Sequence, residues 1–253
     1  MTEEPSPDTP PPAGAPTDES TVRIALVVPD LLGTYGDRGN ALVLAQRLRW
    51  RGYRAEIVTV LSSAESLPES CDIYLLGGGE DVAQQAAVSF LNRGNGLRRA
   101  VDAGAAVLGV CGGLQVLGTR FTTGDGKSQA GLGLVDIETR PGADRAIGEL
   151  GTRSELAGIG VLTGFENHLG RSEVGEGARP LGRVLHGIGN GAAGLEGAVT
   201  GRVVCTYLHG PVLARNPALA DTVLSWAVGA PLGELAEFPE LEQLRAERTR
   251  VRG

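Results

Sequence analysis

The stretch "AAVLGVCGGLQVLG", Ala105 to Gly118, decides the reading of this chain. An apolar run leads straight into Cys111, and a helical pattern begins with no loop between. A turn that tight brings backbone segments into close contact, which accounts for Gly109 before the cysteine and Gly112 and Gly113 after it. Gly109-Val110-Cys111-Gly112-Gly113 is a thiol form of the strand–nucleophile–helix elbow G-x-S-x-G. The placement suits a nucleophile. A free thiol titrates near ~8.5, a helix N-terminus favours its thiolate, and the N–H that follows the nucleophile points where an oxyanion forms. Gly112 supplies that N–H, and a second donor is expected from "LLGGGE", at Gly78 or Gly79, which ends the preceding strand at the same sheet edge. Cys71 and Cys205 read as small buried core residues. Three widely spaced cysteines without a CxxC pair make neither a disulfide framework nor a zinc site.

Outward from the elbow, "VRIALVV", "RAEIVTV" and "CDIYLLGGG" read as strands. Between them, helical spacing places Ala41, Leu44, Ala45 and Leu48 on one face, then Ala83, Ala86, Ala87 and Phe90, then Leu97, Ala100 and Val101. The alternation predicts an α/β fold with a parallel sheet covered on both faces. The second half changes character: "GLGLVDIETR", "GIGVLTGFENH", "LGRVL" and "GRVVCTYLH" are strands joined by Gly-rich turns, expected to extend the sheet and add antiparallel edge strands. Asn216-Pro217 opens a helix whose inner face carries Ala220, Val223, Leu224 and Ala227.

Residues 1–21 are acidic and Pro-rich with no core-forming pattern and read as disordered. Residues 22–229 read as one domain, and 230–253 as a charged, helical extension. The net charge of −7 is concentrated at the start, where residues 1–21 hold five acids and no Lys or Arg; setting those aside leaves −2. A nearly neutral body advertises no nucleic-acid surface. No apolar run approaches a membrane span and the start does not resemble a signal peptide, so the chain reads as cytoplasmic. "GDGKS" fails as a P-loop because Phe121 stands where the first glycine belongs, and "GNGAAG", Gly189 to Gly194, reads as a hairpin turn. No ATP, metal or cofactor site is expected in this chain; ATP-driven chemistry would need another polypeptide.

A thiol mechanism needs a base, and there are three histidines. His209 in "CTYLHGPVL" ends an apolar strand at the expected sheet edge and is preferred. His168 in "GFENHLG" competes from a comparable position, and His186 reads as a surface residue.

These residues resemble the class I glutamine amidotransferases, a Cys–His family on a flavodoxin-like three-layer α/β sandwich that hydrolyses glutamine and passes ammonia to a synthetase. Most members carry a glutamate two positions after the histidine; here Pro211 stands there, as in the cobyrate/cobyrinate synthase branch. Within that branch "LLGTYGDRGNALVLAQRLRWRG" and "GFENH" resemble the GatD glutaminase subunits of lipid II isoglutaminyl synthase, over roughly residues 22–229. That resemblance implies Cys111 as nucleophile, His209 as general base and Arg145 as holder of the glutamine carboxylate. It also implies a heterodimer with a MurT-type, Mur-ligase-like subunit that uses ATP and Mg to amidate D-glutamate of the lipid II stem peptide. The third member of the triad is left open among the dyad alone, Glu166 or Asp37 folding back, and a carboxylate from the partner, the last being favoured. In "TYGDRGN", a role at the site or interface stands beside a plain strand-to-helix turn with Asn40 as N-cap. Alternatives are a cofactor amidation of the cobyrate type and a non-catalytic scaffold.

Overall fold

The structure, a computed structural model, describes residues 21–34, 36–236 and 238–250. The expectation for residues 1–21 therefore falls, apart from Thr21, outside the described residues. In chain order the elements are β1 (Thr21–Val27), α1 (Arg38–Arg49), β2 (Arg54–Val60), β3 (Ile73–Leu76), α2 (Asp81–Leu91), α3 (Gly96–Asp102), β4 (Ala106–Val110), α4 (Gly112–Leu117), β5 (Arg120–Thr122) and β6 (Ser128–Ala130). They continue with β7 (Ile137–Ser154), β8 (Val161–Val174), β9 (Gly182–His186), β10 (Leu195–Glu196), β11 (Ala198–Thr200), β12 (Val203–Thr206), α5 (Val212–Arg215), α6 (Pro217–Val228) and α7 (Pro239–Arg250).

The continuous apolar runs become the central strands of one sheet, ordered β11-β12-β4-β3-β1-β2. Every pair is parallel except β11–β12 at the edge. β3, β4 and β12 are buried at every residue, as strands covered on both faces must be. α1 packs with α5 and α6, and α2 with α4, giving two helix layers around the sheet. The order β2-β1-β3-β4-β12 is the flavodoxin-like arrangement, in which the loops after parallel strands gather at one carboxyl edge.

The second half departs from the expected extension of that sheet. Only "GRVVCTYLH" enters it, as β12. The segments "GLGLVDIETR", "GIGVLTGFENH" and "LGRVL" contribute to a separate, mostly antiparallel sheet, ordered β10-β9-β7-β5-β6 with β8 paired to β7. Burial explains the split. β8 largely alternates buried with part-buried or exposed positions, the pattern of a sheet solvated on one face, whereas β12 is apolar throughout. "GNGAAG" lies in the turn between the antiparallel strands β9 and β10.

The predicted face of α1 is buried throughout, whereas Ala83, Val101 and Ala227 on the other predicted faces are only part-buried and Ala86 is exposed. α1 buries Ala41, Leu44, Ala45 and Leu48. α2 buries Gln84, Ala87, Phe90 and Leu91 and leaves Ala86 exposed, because the Gln84 amide is drawn inward to the Gly79 carbonyl at 2.9 Å. Asn216 stands at the N-cap of α6 but its side chain does not cap; it bonds both Thr163 N–H and Thr163 C=O, tying α6 to β8. α7 docks lightly, with Arg245 donating to the Val161 carbonyl at 2.6 Å. Among the described residues no helix is long and apolar enough to cross a membrane.

Candidate active site

β4 ends in the elbow. Cys111 adopts φ 54°, ψ −103°, outside the regions L-residues ordinarily occupy, and a strained backbone of this kind marks a functional position. Its own N–H donates to the Thr206 carbonyl at 2.8 Å, so β12 holds the elbow from the side. The flanking glycines are required by contact. A Cβ on Gly113 would lie 2.5 Å from the Leu76 carbonyl oxygen, and one on Gly112 would lie 2.8 Å from the Gly79 nitrogen.

Cys111 lines a cleft of about 130 Å³ together with Gly79, Gln84, Gln115, Arg145, Asn167 and His168. Burial pushes the thiol up to about 12; the Gly112 N–H and Arg145 pull it back, while Asp37 and Glu80 push it further. Burial thus opposes the thiolate that the helix N-terminus at the elbow was expected to favour.

The structure sorts the two glycines offered as oxyanion donors. The Gly78 N–H is taken by the Asp37 carboxylate at 2.8 Å, so Gly78 faces away from the chemistry. Gly79 lies on the cleft, and among the described residues its N–H meets no acceptor. Of the glycines offered as oxyanion donors, Gly79 thus lines the cleft and its nitrogen approaches Gly112, whose N–H lies against Cys111. Arg145 sits at the bulge of β7, where the pairing with β8 shifts register between Pro141 and Ala146, and its Nε donates to Asn167 Oδ1 at 2.6 Å. It stands on the cleft as expected.

The two leading histidines are placed differently. His168 lines the cleft, but both ring nitrogens are engaged: Nδ1 with the Gly170 carbonyl at 2.9 Å and Nε2 with Glu166 at 3.2 Å, while its ring stacks on Tyr207 at 3.7 Å. His209 is buried and is not among the residues lining the cleft. It follows β12 by three residues, and its backbone exchanges two hydrogen bonds with Phe165 of β8, at 2.8 and 3.0 Å. Burial, with His168 nearby, pulls its imidazole down to about 4. Both shifts favour the neutral pair, thiol and imidazole.

Neither acid named from the sequence is spare. Glu166 holds His168 and accepts from the N–H groups of Ile188 and Gly189 at 2.7 and 2.9 Å. Asp37 holds Gly78. Asn40, expected as an N-cap, lies inside α1 and accepts from the Leu213 N–H at 3.0 Å, because Asp37 occupies the cap position.

One buried acid, bonded to the run that leads into His209, escaped sequence reading. Glu196 is fully buried beneath the His209 segment, where Oε1 accepts from the Thr206 hydroxyl at 2.8 Å and from the Tyr207 N–H at 2.7 Å. Burial pushes its carboxyl up to about 7. An acid in a Gly-rich turn carries no signal for burial. Among the described residues no group of three or more His, Cys, Asp or Glu side chains is arranged to hold a metal.

A family model, the CobB/CobQ-like glutamine amidotransferase domain, matches residues 23–217 and so contains the elbow, the cleft and His209. The chain belongs to that amidotransferase family. Two relatives of this amidotransferase are similar over most of their length. One is the GatD subunit of the glutamine-hydrolyzing lipid II isoglutaminyl synthase of Staphylococcus aureus, 35% identical over 78% of this chain and 81% of that one. The GatD subunit of Streptococcus pneumoniae is 31% identical over 89% and 88%. A cobyric acid synthase of Pelotomaculum thermopropionicum is 37% identical over 51% of this chain but 27% of its own. Among solved structures, a glutamine amidotransferase superposes with TM-score 0.57 at 20% identity, covering 81% of this chain and 98% of that one. The Thermotoga maritima PurLQS structure gives 0.55 at 14% identity, over 82% and 98%. At such identities these two speak for the shared fold.

Proposed function

We propose that this amidotransferase is the glutamine-hydrolysing subunit of a lipid II isoglutaminyl synthase, with Cys111 as nucleophile and His209 as base. The reading is carried by the near full-length similarity to two GatD subunits, against a cobyric acid synthase match that spans about a quarter of that protein. The cleft supports the chemistry. Arg145 offers a planar fork to the α-carboxylate of glutamine, and the carboxamide carbon then falls toward Cys111.

The Cys111 thiol gives its proton to His209 as sulfur bonds the amide carbon, and the oxyanion lies against the Gly79 and Gly112 N–H groups. His209 passes the proton to the departing nitrogen, the C–N bond breaks, and ammonia leaves a thioester. Water then gives a proton to His209 as it attacks, the C–S bond breaks, and glutamate and the thiol are restored. The amide bond made with that ammonia is assigned to an ATP- and Mg-dependent, Mur-ligase-like partner of the MurT type, acting on the D-glutamate of lipid II. A partner carboxylate beside His209 would raise an imidazole that burial holds near 4, giving a better base only in the assembled enzyme.

The test is glutamate release from glutamine by the chain with and without a Mur-ligase-like partner, beside Cys111→Ala, His209→Ala and His168→Ala. Cys111- and His209-dependent hydrolysis that rises with the partner is expected. Hydrolysis that survives His209→Ala and dies in His168→Ala would move the base to His168. No hydrolysis in any setting would favour a scaffold.

A further inference from the structure

The segment Gly77–Gly79 is held by its backbone from every side but one. The Gly77 carbonyl accepts from the Gly113 N–H at 3.0 Å, and the Gly79 carbonyl from Gln84 Nε2 at 2.9 Å. Two bonds come from the segment between β1 and α1. The Gly78 N–H donates to Asp37, and the Gly78 carbonyl accepts from the Thr34 N–H at 3.2 Å. A trans peptide is planar, and its C=O and N–H point in opposite directions. Pinning the Gly78 carbonyl toward Thr34 therefore drives the Gly79 N–H the other way, toward Gly112 and the Cys111 cleft.

The first turn of α1, which follows directly on that segment, grips the other half of the site. Asn40 accepts from the Leu213 N–H, and Gly39 lies so close to Pro211 that a Cβ there would come within 2.2 Å of its Cγ. These contacts fix the run that begins at His209. Asp37 is buried, its carboxyl is pushed up to about 6 by that burial, and its charge opposes formation of the Cys111 thiolate. An anion beside a nucleophile it disfavours calls for a compensating role, and the bond to Gly78 provides one.

We infer that Asp37 is a positioning residue for glutamine hydrolysis: it anchors Gly78 through the N–H of the Gly77–Gly78 peptide. With Gly78 held there, the adjoining Gly78–Gly79 peptide, whose carbonyl accepts from the Thr34 N–H, presents the Gly79 N–H as the second oxyanion donor. It acts through Gly78 and touches no substrate. This rests on the glutaminase reading of the cleft above. Asn can keep the acceptor without the charge, whereas Ala removes both.

The experiment compares wild type, Asp37→Asn and Asp37→Ala in two reactions at pH 8, each with the partner present. The first is glutamine turnover, which forms an oxyanion. The second is alkylation of Cys111 by iodoacetamide, a displacement at saturated carbon that needs the thiolate but no oxyanion donor. Loss of a single oxyanion donor typically lowers kcat by about 10²–10³-fold. Misdirecting one in Asp37→Ala is expected to lower kcat about 10- to 100-fold, with KM for glutamine within about twofold. Alkylation should hold steady or quicken, since a nearby negative charge is gone, and Asp37→Asn should recover most of kcat. A kcat in Asp37→Ala within threefold of wild type would overturn the inference. So would kcat and alkylation falling together, or failure of Asn to rescue, since either marks a general structural loss. A wild type without Cys111-dependent hydrolysis would instead overturn the glutaminase reading, and this inference with it.

Discussion

Replacing Glu196 by Gln should flatten the dependence of stability on pH. The carboxyl titrates near 4.5 in an unfolded chain and is pushed up to about 7 here, chiefly because burial disfavours its ionised form. Between those values the folded protein holds a proton that the unfolded chain has released. The stabilisation is therefore fully present below pH 4.5 and is lost as pH rises through 7. At about 1.4 kcal/mol per unit, a separation of 2.5 units amounts to roughly 3 kcal/mol, most of it lost between pH 5 and 8. Gln keeps the acceptor for the Thr206 hydroxyl and the Tyr207 N–H, and it places an NH₂ where the buried Oε2 has no partner. Asp37, shifted in the same direction, and His209, shifted in the opposite sense for a base, remain in both proteins, so the difference between the two isolates Glu196. Urea denaturation of wild type and Glu196→Gln at pH 5, 6, 7 and 8 measures it. The variant should gain about 2–3 kcal/mol on wild type between the extremes. Parallel profiles would refute the reasoning and mean that the buried carboxylate is solvated or paired well enough to ionise without penalty.

Three further outcomes follow from the packing and the cleft. Gly113→Ala forces a methyl against the Leu76 carbonyl at 2.5 Å and should cost about 1–3 kcal/mol in urea denaturation, with turnover falling further than stability because the elbow itself must shift. Asp221→Ala strands Arg47, which it grips with two bonds at 2.7 and 2.6 Å, and takes one bond at 2.8 Å from Arg51, which keeps the Gly233 and Arg47 carbonyls; both arginines are nearly buried, so a loss of about 3 kcal/mol is expected, and a melting temperature equal to wild type would exclude it. Arg145→Lys keeps the charge but not the fork, and should raise KM for glutamine about tenfold or more with kcat little changed, read by steady-state glutaminase kinetics.

The parts of the site that were legible from residues alone share one property: their role is written in adjacent positions. The elbow is visible because an apolar strand, a cysteine and three glycines must be neighbours in the chain to make that turn. The central strands are visible because burial on both faces leaves unbroken apolar runs. What escaped is decided by partners far along the chain. Gly78 and Gly79 are indistinguishable as letters; only Asp37, 41 residues away, commits one N–H and leaves the other. Glu196 looks like a surface acid in "GLEGAVTG" until β12 places the Thr206–Tyr207 peptide over it. The second sheet was misjudged for a similar reason. Its strands carry exposed charges and a bulge, and no local pattern states which sheet an alternating strand joins.

The two backbone bonds between His209 and Phe165 set a rule for interpreting variants. Cys111 and the strand leading into His209 share the parallel sheet, while the chain at His209 is also stitched to β8 of the antiparallel one, so the gap between the proposed nucleophile and base depends in part on how the sheets sit together. A substitution far out on β7 or β8 that merely loosens that joint will register in an activity screen as a catalytic defect. Hits scattered along residues 137–174 should therefore be expected, and a good fraction of them will concern alignment rather than chemistry.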